Sequence, residues 1–236
     1  MKTALLAPCG EGALRVTALH NDAAEQWRFV HALAEWMREH PIDGVYSCVP
    51  TYDSMLIEFD PVRVTAGSLA PVVEAAMEHS ADFPSHEPKR FVLPVVYGGE
   101  YGPDLGFTAE HLGITEDDVI ALHTGADRVV RCLGGPAASC MIDGPEFSAP
   151  IPRLPDPRLQ VPPNAISVAG RQGVIGPVRA PSGWRLIGLT PVEIMDMTHE
   201  NLIPYRPGDL VRFRAIDASE WRDYEGMFLH QMEEAC

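Results

Sequence analysis

The sequence predicts an α+β protein in two parts, a small layer of sheet and helix followed by a β-barrel with few helices. Three observations predict it. Up to Glu78 the chain alternates short apolar strands with two amphipathic helices in the order β-α-β-β-α, which reads as a ferredoxin-like α+β layer. Beyond Lys89 helix signals thin out and short strands recur. Between the two, His79 to Lys89 is polar and carries Pro84 and Pro88, the composition of a linker. The expected domains are residues 1–86 and 90–217, with a helical tail over 218–236.

In order, Met1 to Ala7 resembles the opening of a signal peptide, but Pro8-Cys9-Gly10-Glu11 ends the apolar run early, so it reads as a first strand. Leu14 to Leu19 is a second, weaker strand. Asn21-Asp22 offers an N-cap for a helix over Ala23 to His40, whose Trp27, Val30, Ala34 and Met37 recur on one face, and Pro41 stops it. Val45 to Val49 and Ser54 to Phe59 are strands joined by Pro50-Thr51-Tyr52-Asp53; in the second, Met55, Ile57 and Phe59 alternate with other residues. Ser68 caps a helix from about Leu69 to Glu78 with Val72, Val73 and Ala76 inward.

In the second part, Phe91 to Tyr97 is a strand, Thr108 to Leu112 a short helix, and Thr115 with Asp118 a capping-box variant opening Val119 to Thr124. Val129 to Leu133 is a strand. Residues 134–163 are dense in glycine and proline and read as a long loop. Strands follow at Ala165 to Ala169, Val174 to Ile175, Trp184 to Leu189 and Asp209 to Ala215. Trp221, Tyr224, Phe228 and Met232 share a face if the tail, Ala218 to Glu234, is a helix docked on the domain.

Composition narrows the function. A net charge of -15, with 33 acidic side chains against 18 basic ones and only Lys2 and Lys89 as lysines, argues against nucleic acid and anionic membranes. No run approaches the roughly 18 apolar residues of a membrane helix. Five cysteines without a C-x-x-C spacing indicate neither a disulfide framework nor a zinc site, so no metal is expected and a reducing cytoplasm is the expected location. There is no Walker loop, no G-x-S-x-G elbow and no H-E-x-x-H.

Two glycine-rich blocks about eighty residues apart carry the most information: Pro94 to Leu105, with Gly98, Gly99 and Gly102, and Ala180 to Pro191, with Gly183 and Gly188. Glycine at a strand end marks unusual φ or close backbone approach, and two such blocks suggest loops converging on one pocket. Read with Pro50-Thr51-Tyr52-Asp53-Ser54-Met55-Leu56, His123, Pro157-Arg158, Val161-Pro162, Ala169-Gly170, Gln172-Gly173 and Pro207-Gly208-Asp209, they resemble the family of the 5-oxoprolinase B subunit, also described as allophanate hydrolase subunit one, which includes the Kip-type histidine-kinase inhibitor. The resemblance runs from about residue 5 to 217. It implies a ferredoxin-like N-terminal domain and a cyclophilin-like β-barrel. It also implies a homologous carboxyltransferase-like second subunit as partner, and lactam or amide chemistry such as ATP-dependent opening of 5-oxoproline or carboxyl transfer from biotin.

The chain departs from the family pattern in its loops. The usual Gly-Phe-x-Pro-Gly-Phe-x-Tyr is here Leu133 to Cys140 without an aromatic, and Gly173-Val174-Ile175-Gly176-Pro177 has lost its tyrosine. Aromatic walls supply much of a small-molecule site's contact area, so the losses imply a different ligand, or none.

The resemblance implies catalytic roles for His123, which could relay a proton or hold a carbonyl oxygen, and for Gln172, whose amide could meet a carboxylate or lactam. It implies substrate contacts from the block Tyr97-Gly98-Gly99-Glu100. The Gly98 and Gly99 amides could face an oxyanion, or form a tight bulge. Glu100 and Asp104 suit acid and base roles but capping better. Arg158 and Arg171 are candidate carboxylate clamps, though each alone suits a surface role better. Trp184 reads as a core anchor. Two functions are expected as alternatives: a subunit of a heteromeric carboxyltransferase-like hydrolase for an amide, lactam or carboxylated small molecule other than 5-oxoproline, or a non-catalytic regulator that docks on a partner such as a histidine kinase.

Overall fold

The computed structural model describes residues 3–80 and 86–234. The middle of the expected linker, residues 81–85, lies outside the described residues. The chain divides into two compact units, residues 1–87 and 88–236.

The first unit contains β1 (Ala4–Pro8), β2 (Ala13–Ala18), α1 (Ala23–Glu39), β3 (Val45–Pro50), β4 (Ser54–Phe59) and α2 (Ala66–Ser80). The strands form one antiparallel sheet in the order β1-β2-β4-β3, one strand more than the β-α-β-β-α order. Alternation sets its faces: Leu14, Val16 and Ala18 on β2 and Met55, Ile57 and Phe59 on β4 are buried against Val30, Leu33 and Met37 of α1. Asp22 caps α1, accepting the Glu25 amide at 2.9 Å. Two details of α2 differ from the expectation. Its cap is Thr65, paired reciprocally with Ser68, so it starts three residues early. Val72 faces outward while Leu69, Val73, Ala76 and Ser80, spaced i, i+4, i+7 and i+11, form the buried stripe.

The second unit contains β5 (Arg90–Tyr97), α3 (Leu105–Leu112), α4 (Glu116–Thr124), β6 (Arg128–Gly134), β7 (Ser139–Asp143), β8 (Arg158–Val161), β9 (Ala165–Ala169), β10 (Gln172–Gly176), β11 (Ala180–Ser182), β12 (Arg185–Leu189), β13 (Leu210–Ala215), a one-turn α5 (Trp221–Tyr224) and β14 (Glu233–Glu234). Neighbouring strands run β12-β9-β10-β7-β6-β13-β5, and a β12–β5 pairing closes the ring. The β13–β5 pair is parallel and the others antiparallel. Strands β8 and β11 form a separate ribbon.

The two glycine blocks meet at that closure. Tyr97 opposes Gly188 and Val96 opposes Leu189. A Cβ on Gly188 would lie 2.7 Å from Val95 Cγ1 and 2.8 Å from the Val96 carbonyl oxygen. The expected shared pocket thus becomes, at backbone level, a barrel seam that side chains would hold open.

Two expectations for this unit are corrected. Residues 134–163 hold β7 and β8 rather than one loop; the glycines and prolines at the turns mask Cys140 and Ile142, which alternate inward on β7. In the tail, α5 stops at the extended Glu225, Gly226 follows at φ +82°, and the described residues close with a short 3-10 turn and β14, which pairs with β5. Trp221 instead meets Tyr101, ring centroids 5.2 Å apart.

Candidate functional site

His123 lies in the last turn of α4. Thr115 and Asp118 close a reciprocal capping box that fixes the start of the helix, and Val119 and His123, one turn apart, form its buried face. The imidazole is 1% exposed. It sits over Phe213 of β13, centroids 4.3 Å apart, and its Nδ1 is 2.7 Å from the Tyr97 hydroxyl at the end of β5.

Burial pushes the Tyr97 phenol well above its ordinary range, so it stays protonated; a phenol O–H is a stronger donor than a neutral imidazole N–H, and on that ground the bond is assigned as Tyr97 O–H to Nδ1. The imidazole proton is therefore on Nε2. Burial first, and then the Arg128 guanidinium, push the His123 imidazole down to about 3. A ring held this way is neutral near pH 7: a fixed hydrogen-bond donor, and a poor proton relay.

This burial has a consequence for stability. In the unfolded chain the imidazole binds a proton near 6.5, while in the fold it resists down to about 3. Below pH 6.5 the unfolded state therefore binds the extra proton. The contribution is fully present above 6.5 and falls by about 1.4 kcal/mol per pH unit as pH drops toward 3. Urea unfolding at neutral pH and near pH 5 is expected to show this loss in the wild type and to lack it in His123→Gln; equal losses in both would refute the assignment.

The other sequence-derived residues are placed as follows. Gln172 opens β10 opposite Ala169 and Asp143, half-buried, with no hydrogen bond or ring contact to Tyr97 or His123. Arg171 is exposed and donates from Nη1 to the Phe147 carbonyl at 3.0 Å. Gly98 and Gly99 are at φ +70° and +53°. The Gly98 N–H is spent on the Ile187 carbonyl (3.1 Å), while Gly99 and Glu100 are exposed. Trp184 is half-buried, with the Arg153 guanidinium 5.4 Å from its ring centroid.

Arg158 does clamp a carboxylate, but an internal one. Its Nη1 and Nη2 donate to the two oxygens of Asp104 at 2.6 and 2.9 Å. Asp104 also accepts the Leu186 amide at 2.8 Å, and Arg185 Nη1 lies 3.8 Å away. Asp104 occupies the N-cap position of α3 yet makes no side-chain cap bond, so the capping role expected from the sequence is replaced by a clamp. Arg185, which no sequence signal singles out, is almost buried, donates to the Pro152 carbonyl and covers the Phe107 ring at 3.6 Å.

Of the groups expected to receive an anion, Arg158, Arg171 and the Gly98 N–H are thus engaged within the chain. Among the described residues no cluster of three histidine, cysteine or acidic side chains could hold a metal, and no helix is long and apolar enough to cross a membrane.

Comparison with known proteins places this geometry. Residues 4–205 match the family model described as carboxyltransferase domain, subdomain C and D. The chain is 31% identical over 208 residues to the 5-oxoprolinase B subunit of Bacillus subtilis, covering 83% of this chain and 86% of that protein. Among solved structures it is similar to TTHA0988, with a TM-score of 0.75 and 31% identity over 87% of this chain but 40% of the other. The urea carboxylase of Kluyveromyces lactis shares the fold alone, with a TM-score of 0.73 at 17% identity, and the chain spans 22% of its length. The coverage of the family model and of the Bacillus subtilis relative shows that the chain belongs to the family of carboxyltransferase domains, subdomain C and D.

Proposed function

We propose that the chain is the B-type subunit of a heteromeric enzyme that acts on an amide, lactam or carboxylated small molecule, together with a homologous carboxyltransferase-like subunit. The observation that carries this reading is the match to the 5-oxoprolinase B subunit across 86% of that protein's length. In this reading the first unit is a ferredoxin-like domain, the second a cyclophilin-like barrel, and the assembly is cytoplasmic.

Tyr97 and His123 support a specific role. The imidazole, neutral and fixed by the Tyr97 hydroxyl, presents Nε2–H as a donor to a substrate carbonyl oxygen as charge develops there. Gln172 and the exposed Gly99 amide supply further polar contacts, and Glu100 stands at the rim. The aromatic-free turn from Gly134 to Ser139, with Ala137 and Ala138 at φ +50° and +55°, favours a substrate other than 5-oxoproline.

The test is co-expression with the companion subunit, co-purification, and assay of lactam and amide hydrolysis with and without ATP. Turnover by the pair, reduced about 100-fold or more in His123→Gln, is expected. Turnover indifferent to His123→Gln would remove the residue from the chemistry. A stable complex with a sensor kinase and no turnover would replace the enzyme by the regulator.

A further inference from the structure

Two guanidiniums close the C-terminal end of α4, and they differ in one respect. Arg212 of β13 donates from Nη1 to the Thr124 carbonyl at 3.2 Å and from Nε to Asp127 at 2.7 Å, so its charge is balanced. Arg128, the first residue of β6, donates from Nη2 to the Leu122 carbonyl at 2.6 Å and from Nη1 to the Gly144 carbonyl at 3.2 Å. It is 6% exposed, its Nε is buried without a partner, and it forms no ion pair among the described residues. The nearby acids give it no hydrogen bond: Asp127 is held by Arg90 and Arg212, Asp143 by Arg131, and Asp143 and the exposed Glu146 act on Arg128 only through space.

A buried guanidinium ordinarily takes a carboxylate, because desolvating an unpaired charge is costly. As a helix cap alone, Arg128 would act as well with its charge balanced, as Arg212 does. The residue it grips, Leu122, immediately precedes His123. Tyr97 from β5 and Phe213 from β13 contact that imidazole, the charge of Arg128 from β6 acts on it through space, and among the described residues no carboxylate contacts the ring. A cation with no hydrogen-bonded carboxylate, acting on an imidazole, opposes a second proton on it. The grip on the preceding carbonyl fixes where the ring stands.

We propose that Arg128 is the positioning residue for His123: its guanidinium, which no carboxylate hydrogen-bonds, holds the Leu122 carbonyl and thereby keeps the imidazole against Tyr97 as a neutral ring with its proton on Nε2. The proposal rests on the reading of His123 as a site residue. Its test needs neither substrate nor companion subunit, so the two can fail separately.

The measurement is nitrogen NMR of the full chain labelled at histidine. In the wild type, His123 is expected as a single neutral tautomer with Nδ1 unprotonated, silent between about pH 5 and 8. In Arg128→Met the second tautomer is expected to appear, and protonation of the ring is expected to begin at a higher pH, a gain in proton affinity of at least about tenfold, while burial still holds it below the ordinary imidazole range. Arg128→Lys keeps the charge but cannot hold both carbonyls; the ring is expected to stay neutral while populating both tautomers. Arg212→Gln is expected to leave the His123 signals unchanged. Wild-type His123 signals in a folded Arg128→Met would overturn the proposal, as would an equal disturbance from Arg212→Gln. Should Arg128→Met fail to fold, an undisturbed tautomer in Arg128→Lys overturns it.

Discussion

Replacing Gly102 with alanine is expected to cost more than about 3 kcal/mol and to lower the melting temperature by roughly 10 °C, or to prevent the barrel from closing. A Cβ at this position would lie 1.9 Å from the Ile187 carbonyl oxygen and 2.7 Å from the Gly98 nitrogen. Both are backbone atoms, so no rotamer change relieves the contact. The same carbonyl accepts the Gly98 N–H, and Asp104 N–H bonds to Leu186 one residue away. Moving the strand to admit a methyl group therefore breaks the seam that sets Tyr97 opposite Gly188, and with it the Tyr97–His123 hydrogen bond. Gly113→Ala is the control. That glycine sits at φ +69° with open space around it, so its cost is conformational strain of about 1–2 kcal/mol. Thermal unfolding of the two variants separates steric exclusion from strain; equal costs would contradict the close approach.

What can be read from the sequence tracks how each element is buried. The sheet of the first unit has one packed face, so Met55, Ile57 and Phe59 alternate and can be read. Strand β9, buried along all five residues, is read at its observed bounds from its small and apolar run without alternation, whereas β7 lies between turn residues that resemble a loop. The barrel closure joins Tyr97 to Gly188 through a contact no local pattern encodes. The site divides the same way. His123 is reached through resemblance, but its tautomer depends on Tyr97, 26 residues away, and on Arg128, one arginine among many in the sequence. Asp104 reads as a cap because it stands where a cap would stand; only the fold brings Arg158, 54 residues later, onto its carboxylate.

That carboxylate carries the other large expected effect. Asp104→Ala is expected to destabilise the protein by about 3 kcal/mol, the low end of the cost of breaking a buried pair from one side, because the carboxylate is buried while the Arg158 side chain is 30% exposed and can rehydrate. The side chain is 7% exposed and serves Arg158 through both oxygens, the Leu186 amide, and Arg185 at 3.8 Å. Its removal leaves the nearly buried Arg185 without a nearby anion and the buried Leu186 N–H without an acceptor. Asp104→Asn keeps an acceptor for that N–H and loses only the charge, so its cost should be smaller. If the pair is the unit that matters, Arg158→Met in the Asp104→Ala background should cost much less than in the wild type, because the guanidinium has already lost its partner. Urea unfolding of the four proteins measures the coupling. A coupling near zero, or an Asp104→Ala cost below about 1 kcal/mol, would place the pair with ordinary surface ion pairs. It would also remove the main tie between the turn that follows Tyr97 and the β8 ribbon.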